Sequence, residues 1–318
     1  MKFIKNVFLL CFSVIVAFGI GEVASRYLAP LSVGPVILDL AGNEQKISYV
    51  EPNNLFRLKT PDYDAEVTIT RDGYRGPEAK GNPDEIFLGD SFTYAVGVTN
   101  NQTFPAIYCK EKNLNCANLA VAGASTLYEI DRLETYIKKK NWRPKKVHLF
   151  FYTGNDFSDN VDADEKRSRG DHYDPDTLNL PHHQTDGAIK LINIGLKYSN
   201  LLRIAYFKGL PLIRVSDEDA KQTLTKGLEV TKKEFARLDT LSKTYGFEYK
   251  LYTIFTKHEI DNDLHQELGQ KIQAQTEKPV QMLGDLLKDT DKYYFPRDLH
   301  YSVEGNAKVA EILINQKP

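Results

Sequence analysis

Asp84-Glu85-Ile86-Phe87-Leu88-Gly89-Asp90-Ser91-Phe92-Thr93 is the stretch on which the reading of the fold turns. Behind Pro83 and Asp84 a short apolar run reads as a buried strand. It stops at Gly89, and the small polar turn Gly89-Asp90-Ser91 hands the chain to a helical pattern. A serine at the carboxyl end of a strand sets its hydroxyl at the rim of a sheet. In open α/β sheets that rim is where ligands bind. One Gly-Asp-Ser turn is equally well an ordinary strand-to-helix connection, so the surrounding chain has to decide.

Downstream, strand-like runs alternate with helical patterns, the signature of parallel βα units. Thr103 to Lys112 predicts a helix with Pro105 in its first turn, where a missing N–H is tolerated. Cys116 to Val121 is a second strand, ending at Ala122-Gly123-Ala124. Ser125 then caps a helix from Thr126 to Lys140, whose Leu127, Ile130, Leu133 and Ile137 recur at helical spacing. A third strand, Lys146 to Tyr152, runs into Thr153-Gly154-Asn155-Asp156. The polar stretch from Phe157 to about Gly187 reads as a loop, a lid or substrate-binding insertion. With the amphipathic helix from Ile189 to Phe207 it makes an insertion over about 157–210. A helix from Asp217 to Thr244, a strand Phe247–Phe255 and a helix from Leu264 to Leu287 follow. Tyr293–Phe295 is read as a short last strand, before Arg297-Asp298-Leu299-His300 and a closing helix from Val303 to Ile314. Residues 81–318 are thus expected to form a flavodoxin-like three-layer α/β/α sandwich on a five-stranded parallel sheet.

Upstream, residues 26–80 are turn-rich, with Pro30, Pro35, Pro52 and Pro61, and read as a linker plus an N-terminal extension. Within them Ala65-Glu66-Val67-Thr68-Ile69-Thr70 alternates like an edge strand, and Arg71 to Gly76 reads as a turn. At the start, Lys2 and Lys5 precede an apolar run from Val7 to Ile20 that ends at Gly21-Glu22. A spanning helix needs ~17–25 residues. Phe3, Ile4, Val23 and Ala24, with Lys5 snorkelling, bring the run close to that length. Residues 1–25 are therefore read as a signal-anchor or transmembrane helix. The lysines set the amino end inside, which places the rest on the periplasmic, extracytoplasmic side. The alternative is a signal peptide cleaved near Ile15-Val16-Ala17 and a secreted product. Both readings export the chain.

Cysteine use fits an oxidising compartment. Cys11 lies in the apolar run, whereas Cys109 and Cys116 fall close together and are a disulfide candidate; two buried free thiols are the other reading. Cys-x₆-Cys is not a metal-ligand spacing. His172, His182 and His183 in the polar loop have no carboxylate or cysteine at ligand spacing, so no metal and no cofactor is expected. The net charge is −2, from 41 Lys+Arg against 43 Asp+Glu. The one basic run, Lys138-Lys139-Lys140, decorates a helix C-terminus, which argues against nucleic acid as a partner.

Ser91, Gly123, Asn155 and the Asp298/His300 pair all fall at strand-to-helix junctions, and parallel strands bring such junctions to one rim. Acyl transfer needs these residue types. A hydroxyl is a weak nucleophile until a base takes its proton, and an imidazole does so near neutral pH. A carboxylate on the other ring nitrogen fixes the tautomer. Aimed donors hold the oxyanion, and the backbone N–H groups of Ser91 and Gly123 with the Asn155 amide supply three. Read singly, Asn155 caps a helix, Asp298 pairs with Arg297, and His300 is a turn histidine.

The chain resembles the SGNH (GDSL-type) hydrolase superfamily. Gly89-Asp90-Ser91-Phe92 matches its first block and Asn118-Leu119-Ala120-Val121-Ala122-Gly123 its second. Gly154-Asn155-Asp156 matches the third, and Asp298-Leu299-His300, followed by Gly305, the last. The resemblance covers about 84–316. It implies Ser91 as nucleophile, His300 as base, Asp298 as orienting acid, and Ser91, Gly123 and Asn155 as oxyanion hole. One departure stands out: the acid is usually three residues before the histidine, where this chain has Arg297. The two-residue spacing resembles the alginate O-acetyltransferase-like branch. The expectation is an exported serine esterase for O-acyl, mainly O-acetyl, esters on envelope or extracellular polysaccharide. A polysaccharide O-acetyltransferase with the same triad is the first alternative, and a non-catalytic carbohydrate-binding or assembly factor the second. An acylated carbohydrate or small ester, the membrane through the first helix, and polysaccharide-biosynthesis proteins are the implied partners. Lys257 and Arg297 are weaker substrate-contact candidates.

Overall fold

The structure, a computed structural model, describes residues 2–28, 35–45, 50–170, 199–209 and 217–316. Two compact units share the chain: 1–34 with 183–217, and 35–182 with 218–318. In the first unit, α1 (Lys2–Leu28) carries the apolar run. Its Leu9, Phe12, Ile15, Phe18 and Ile20 are exposed. Counted over the described residues, no helix is long and apolar enough to cross a membrane.

The second unit opens with an antiparallel sheet of β1 (Val36–Leu38), β2 (Leu55–Lys59) and β3 (Asp64–Thr68). The segment expected as linker and edge strand therefore contains a sheet of its own. Alternation explains it: Phe56 and Leu58 of β2 and Ala65 and Val67 of β3 turn to one side and are buried. They pack with Tyr63, Tyr94, Val96 and Ala120, so this small sheet rests on the chain that follows Ser91.

β4 (Glu85–Gly89) then enters the main sheet and leads into α2 (Ser91–Tyr94) and α3 (Phe104–Lys112). Next come β5 (Cys116–Asn118), α4 (Thr126–Lys139), β6 (Lys146–Tyr152) and α5 (Asp156–Ser168). In the first unit lies α6 (Asn200–Gly209), whose first turn meets the Glu22 carboxylate of α1: Asn200 N donates to it at 2.8 Å. The second unit resumes with α7 (Asp217–Tyr245), β7 (Glu248–Ile254), α8 (Lys257–Asp261) and α9 (His265–Gln273). It closes with β8 (Val280–Met282), α10 (Thr290–Tyr293) and α11 (Val303–Ile314).

The main sheet is parallel in the order β5-β4-β6-β7-β8, the flavodoxin-like order with its switch point beside β4. Successive residues of one strand face opposite sides, so Ile86 and Leu88 pack with Ile130 and Leu133 of α4 and Leu238 of α7. Phe87 packs on the other side with Phe104 of α3 and Val309 of α11. Those are the three layers expected.

Three further expectations need correcting. The fifth strand is β8, not Tyr293–Phe295, where Tyr293 ends α10 and Tyr294 only bridges Tyr301. The expected helix from Leu264 to Leu287 breaks because Pro279 cannot donate within it and clashes with the preceding turn. The helix stops at Gln273, and the Gln273 side chain receives Val280 N at 2.8 Å as β8 begins. The polar stretch after Asn155 begins as a helix rather than a loop. Asp156 and Asp159 sit in the first turn of α5 and Lys166 and Arg167 in its last, which matches the helix dipole. Phe157, Asn160 and Ala163 make its buried stripe. His172, His182, His183 and residues 189–198 of the expected amphipathic helix lie outside the described residues.

Cys109 at the end of α3 and Cys116 at the start of β5 form a disulfide, with Cα atoms 6.2 Å apart. It closes a short loop, for which chain-entropy arguments give about 2–3 kcal/mol. Replacing both cysteines with serine is expected to lower the unfolding free energy by that amount in urea titrations. Adding a reductant to the wild type should reproduce the effect and leave the serine variant unchanged.

Candidate active site

The nucleophile turn is fixed by space. A Cβ on Gly89 would stand 2.2 Å from Thr93 Oγ1, so only glycine lets α2 fold back so soon after β4. Asp90 caps that helix, taking Phe92 N–H at 2.9 Å. The αL residue Ala95 ends it after one turn. Ser91 is left at the rim. Beside it, the β5 segment stays in step with β4 beyond Asn118: Leu119 N donates to Phe87 O and Val121 N to Gly89 O, at 2.9 and 3.1 Å. The Asn118 amide ties the two together by donating to Thr93 O at 2.9 Å. Gly123 follows in the turn, exposed and at φ +80°.

The histidine arrives on a closed loop. Phe295 N donates to His300 O at 2.8 Å, and Tyr294 bridges Tyr301. Leu299, between acid and base, takes the left-handed conformation at φ +67°. That local reversal lets residues two apart meet, which accounts for the short spacing of Asp298 and His300. His300 Nδ1 donates to Asp298 Oδ1, and His300 Nε2 lies 2.8 Å from Ser91 Oγ. An ionised carboxylate only accepts, so Nδ1 carries the proton and Nε2 keeps a lone pair for the serine hydroxyl. Three of the sequence-derived site residues are thereby joined in one hydrogen-bonded line.

Asp298 is 3% exposed at its side chain, yet its carboxyl lies below the usual carboxylate range. Burial pushes it up. The hydrogen bond and charge of His300 outweigh that, helped by Tyr63, whose hydroxyl donates to Asp298 Oδ2 at 2.9 Å. Sequence reading did not find Tyr63, nor Asp62 beside it. Asp62 Oδ2 accepts both Arg297 N and Asp298 N at 2.8 Å. Proximity to Pro61 in a turn was the one available signal, and it carries no chemistry.

Asn155 occupies the N-cap position of α5 without making a side-chain capping bond; its Nδ2 donates to Asp159 Oδ2 at 2.7 Å while its buried Oδ1 has no partner among the described residues. Arg297 is drawn off as a substrate contact by Asp62, whose Oδ1 takes its guanidinium at 2.9 Å. Lys257 is likewise engaged elsewhere, with Asp291 and Thr290 each at 2.7 Å and Asp261 at 3.2 Å.

Behind the rim lie carboxyls that the sequence did not single out. Burial raises Asp90 to about 6. Asp156 and Glu129 are raised well above the ordinary range by burial and then by their neighbours' charges. Glu129 is 1% exposed, with neither oxygen partnered among the described residues. A raised folded value means that stability is full at low pH and falls as pH rises from the ordinary glutamate value toward the folded one. Glu129→Gln is therefore expected to match the wild type in melting temperature near pH 4. At pH 8 it should melt higher by roughly 2–4 °C, the shift each kcal/mol gives a domain of this size.

No family model and no curated protein matches the chain. Solved structures do. A lipase/acylhydrolase from Enterococcus faecalis aligns over 72% of this chain and 93% of its own at 14% identity and TM-score 0.39. An acetyl xylan esterase from Geobacillus stearothermophilus aligns over 75% and 94% at 12% identity and TM-score 0.38. A psychrotrophic esterase from Pseudoalteromonas sp. aligns over 72% and 94% at 11% identity and TM-score 0.37. These neighbours are ester hydrolases. The chemistry of the present chain rests on its own residues. A hydroxyl, an imidazole and a carboxylate stand in the order that nucleophilic acyl transfer requires.

Proposed function

We propose that this protein is an exported serine esterase that removes O-acyl, chiefly O-acetyl, groups from envelope or extracellular polysaccharide. The observation that carries the chemistry is the 2.8 Å approach of His300 Nε2 to Ser91 Oγ, with Asp298 on the far side of the ring. Ser91 Oγ attacks the ester carbonyl and passes its proton to His300 Nε2. The Ser91 and Gly123 amides and the Asn155 side chain receive the oxyanion. Collapse expels the sugar alkoxide, which takes the proton from His300. Water then attacks the acyl-serine, giving a proton to His300 Nε2, and as the tetrahedral intermediate collapses His300 returns that proton to Ser91 Oγ and the carboxylic acid leaves.

Export and anchoring belong to the same proposal. In support, α1 spans 27 residues, roughly 40 Å at 1.5 Å per residue, and has a row of exposed large apolar side chains. Lys2 and Lys5 orient it, and the Cys109–Cys116 bridge suits an oxidising compartment. A second reading, transfer of the acyl group to a sugar hydroxyl, is favoured by the two-residue spacing of Asp298 and His300. The deciding experiment incubates the full-length chain with a chromogenic acetyl ester, with and without acetyl-free polysaccharide. Acetate release that is indifferent to the glycan supports the esterase, and acetyl appearing on the glycan supports transfer. Absence of turnover together with absence of labelling by a serine-directed phosphonate sinks both and leaves a binding module.

A further inference from the structure

The N-terminal sheet reaches the acid loop through the tip between β2 and β3. Asp62 and Tyr63 stand there, each 235 residues before the partner it meets, Arg297 and Asp298, but against the same loop. Asp62 is 1% exposed at its side chain. One of its oxygens takes two consecutive backbone N–H groups, those of Arg297 and Asp298, and the other takes the Arg297 guanidinium. Tyr63 fills the second acceptor site of the Asp298 carboxylate, and its ring lies against Phe295 with centroids 4.9 Å apart. The same extension also holds the serine side. Arg75, wholly buried, donates to Tyr94 O and Ala95 O at 2.7 and 2.6 Å and to Val98 O, the carbonyls at and just beyond the C-terminus of the nucleophile helix.

We propose that Asp62 and Tyr63 are positioning residues for the Ser91–His300–Asp298 line: the hairpin tip sets the rotation of the Asp298 carboxylate and through it the direction of His300. This rests on the esterase or transferase reading above. The physical need is specific to this loop. Leu299 is in the left-handed region, where a non-glycine residue is held only by its surroundings. A carboxylate two residues from its histidine has little backbone between them to fix its plane. With Oδ1 on the imidazole, the remaining rotation of the carboxylate is settled by what Oδ2 meets, and that is the Tyr63 hydroxyl. The two N–H groups captured by Asp62 fix where the Asp298 Cα stands.

Tyr63→Phe in the full-length chain removes one oxygen and keeps the ring against Phe295. Loss of a hydrogen bond to a charged group predicts a fall in kcat of about 10-fold or more, with KM within about twofold. Asp62→Asn keeps a carbonyl for the two N–H groups and should retain most of the activity, whereas Asp62→Ala should lose about 10–100-fold. An independent readout is the low-field proton resonance of His300 Nδ1–H, which should move in Tyr63→Phe whatever the turnover. A Tyr63→Phe enzyme with wild-type kcat and an unmoved resonance overturns the proposal. So does a fall in kcat that merely parallels a fall in melting temperature while the resonance stays put. If Asp62→Ala does not fold, Tyr63→Phe decides alone. A wild type that neither turns over nor labels with the phosphonate strikes the functional reading instead, and the resonance still tests the positioning.

Discussion

Ser91→Ala is expected to lower kcat/KM for a chromogenic acetyl ester by at least ~10³-fold, with the melting temperature within a degree or two of the wild type. The two halves of that expectation have separate grounds. Ser91 is the first residue of α2, where alanine is tolerated and where the capping bond comes from Asp90, not from the serine. What the variant loses locally is the Oγ contact with His300 and a longer one, 3.2 Å, with Asp90. His300 remains partly exposed, so its freed nitrogen can be met by water. Activity disappears because, among the described residues, no other hydroxyl is placed on the imidazole. The residual rate is what the oxyanion donors and binding supply alone. Acyl-enzyme trapped by rapid quench from wild type, and absent from the variant, completes the test. A variant that retains a tenth of the rate would show that water or another side chain attacks the ester, and the assignment of Ser91 would be lost.

Legibility in the sequence followed the length scale of the cause. β4, β6 and β7 were readable because apolar runs bounded by turn residues make strands with little help from elsewhere. The same holds for α3 and α4, where Thr103 and Ser125 supply the caps. The three-residue β8 was missed because its signal is its partner β7 and not its own sequence, although Pro279 marked the break. α5 was hidden by its charge, since of its four buried residues, Asp156, Phe157, Asn160 and Ala163, only two are apolar and they make no visible stripe in the sequence. At the site, Ser91, His300 and Asp298 could be found because chemistry limits what can stand there. Tyr63 and Asp62 could not, because a tyrosine in a hairpin tip acquires its meaning only from a loop more than two hundred residues away. The buried Glu129 was indistinguishable from a surface glutamate on a helix: the closed packing, and then the charges of Asp156 and Asp90, make it costly.

Asp298→Asn is expected to reduce kcat by roughly 10³–10⁴-fold while leaving KM nearly unchanged, and the reason lies in what an amide can offer. Both oxygens of Asp298 accept, Oδ1 from His300 and Oδ2 from Tyr63. Asparagine has one acceptor and one donor for the same two places. With its NH₂ toward His300, the ring must accept at Nδ1, so the proton moves to Nε2 and points at Ser91. The imidazole then cannot take the serine proton. With its carbonyl toward His300, the correct tautomer survives but the negative charge opposite the forming imidazolium is gone, and the Tyr63 hydroxyl must turn round to accept. Adding Tyr63→Phe takes the hydroxyl partner away from both arrangements, so the double variant gains no preference for the productive one and should be no more active than Asp298→Asn alone. A double variant that recovers activity would contradict this account. Stability supplies an independent check with a definite sign. Because the folded Asp298 value is lowered, its contribution is present above the ordinary aspartate value and is lost as pH falls through the folded one. The gap in melting temperature between wild type and Asp298→Asn should therefore be open at pH 7 and close as the solution is acidified below about 4. A gap that widens on acidification would mean that the carboxylate is not the form the fold holds.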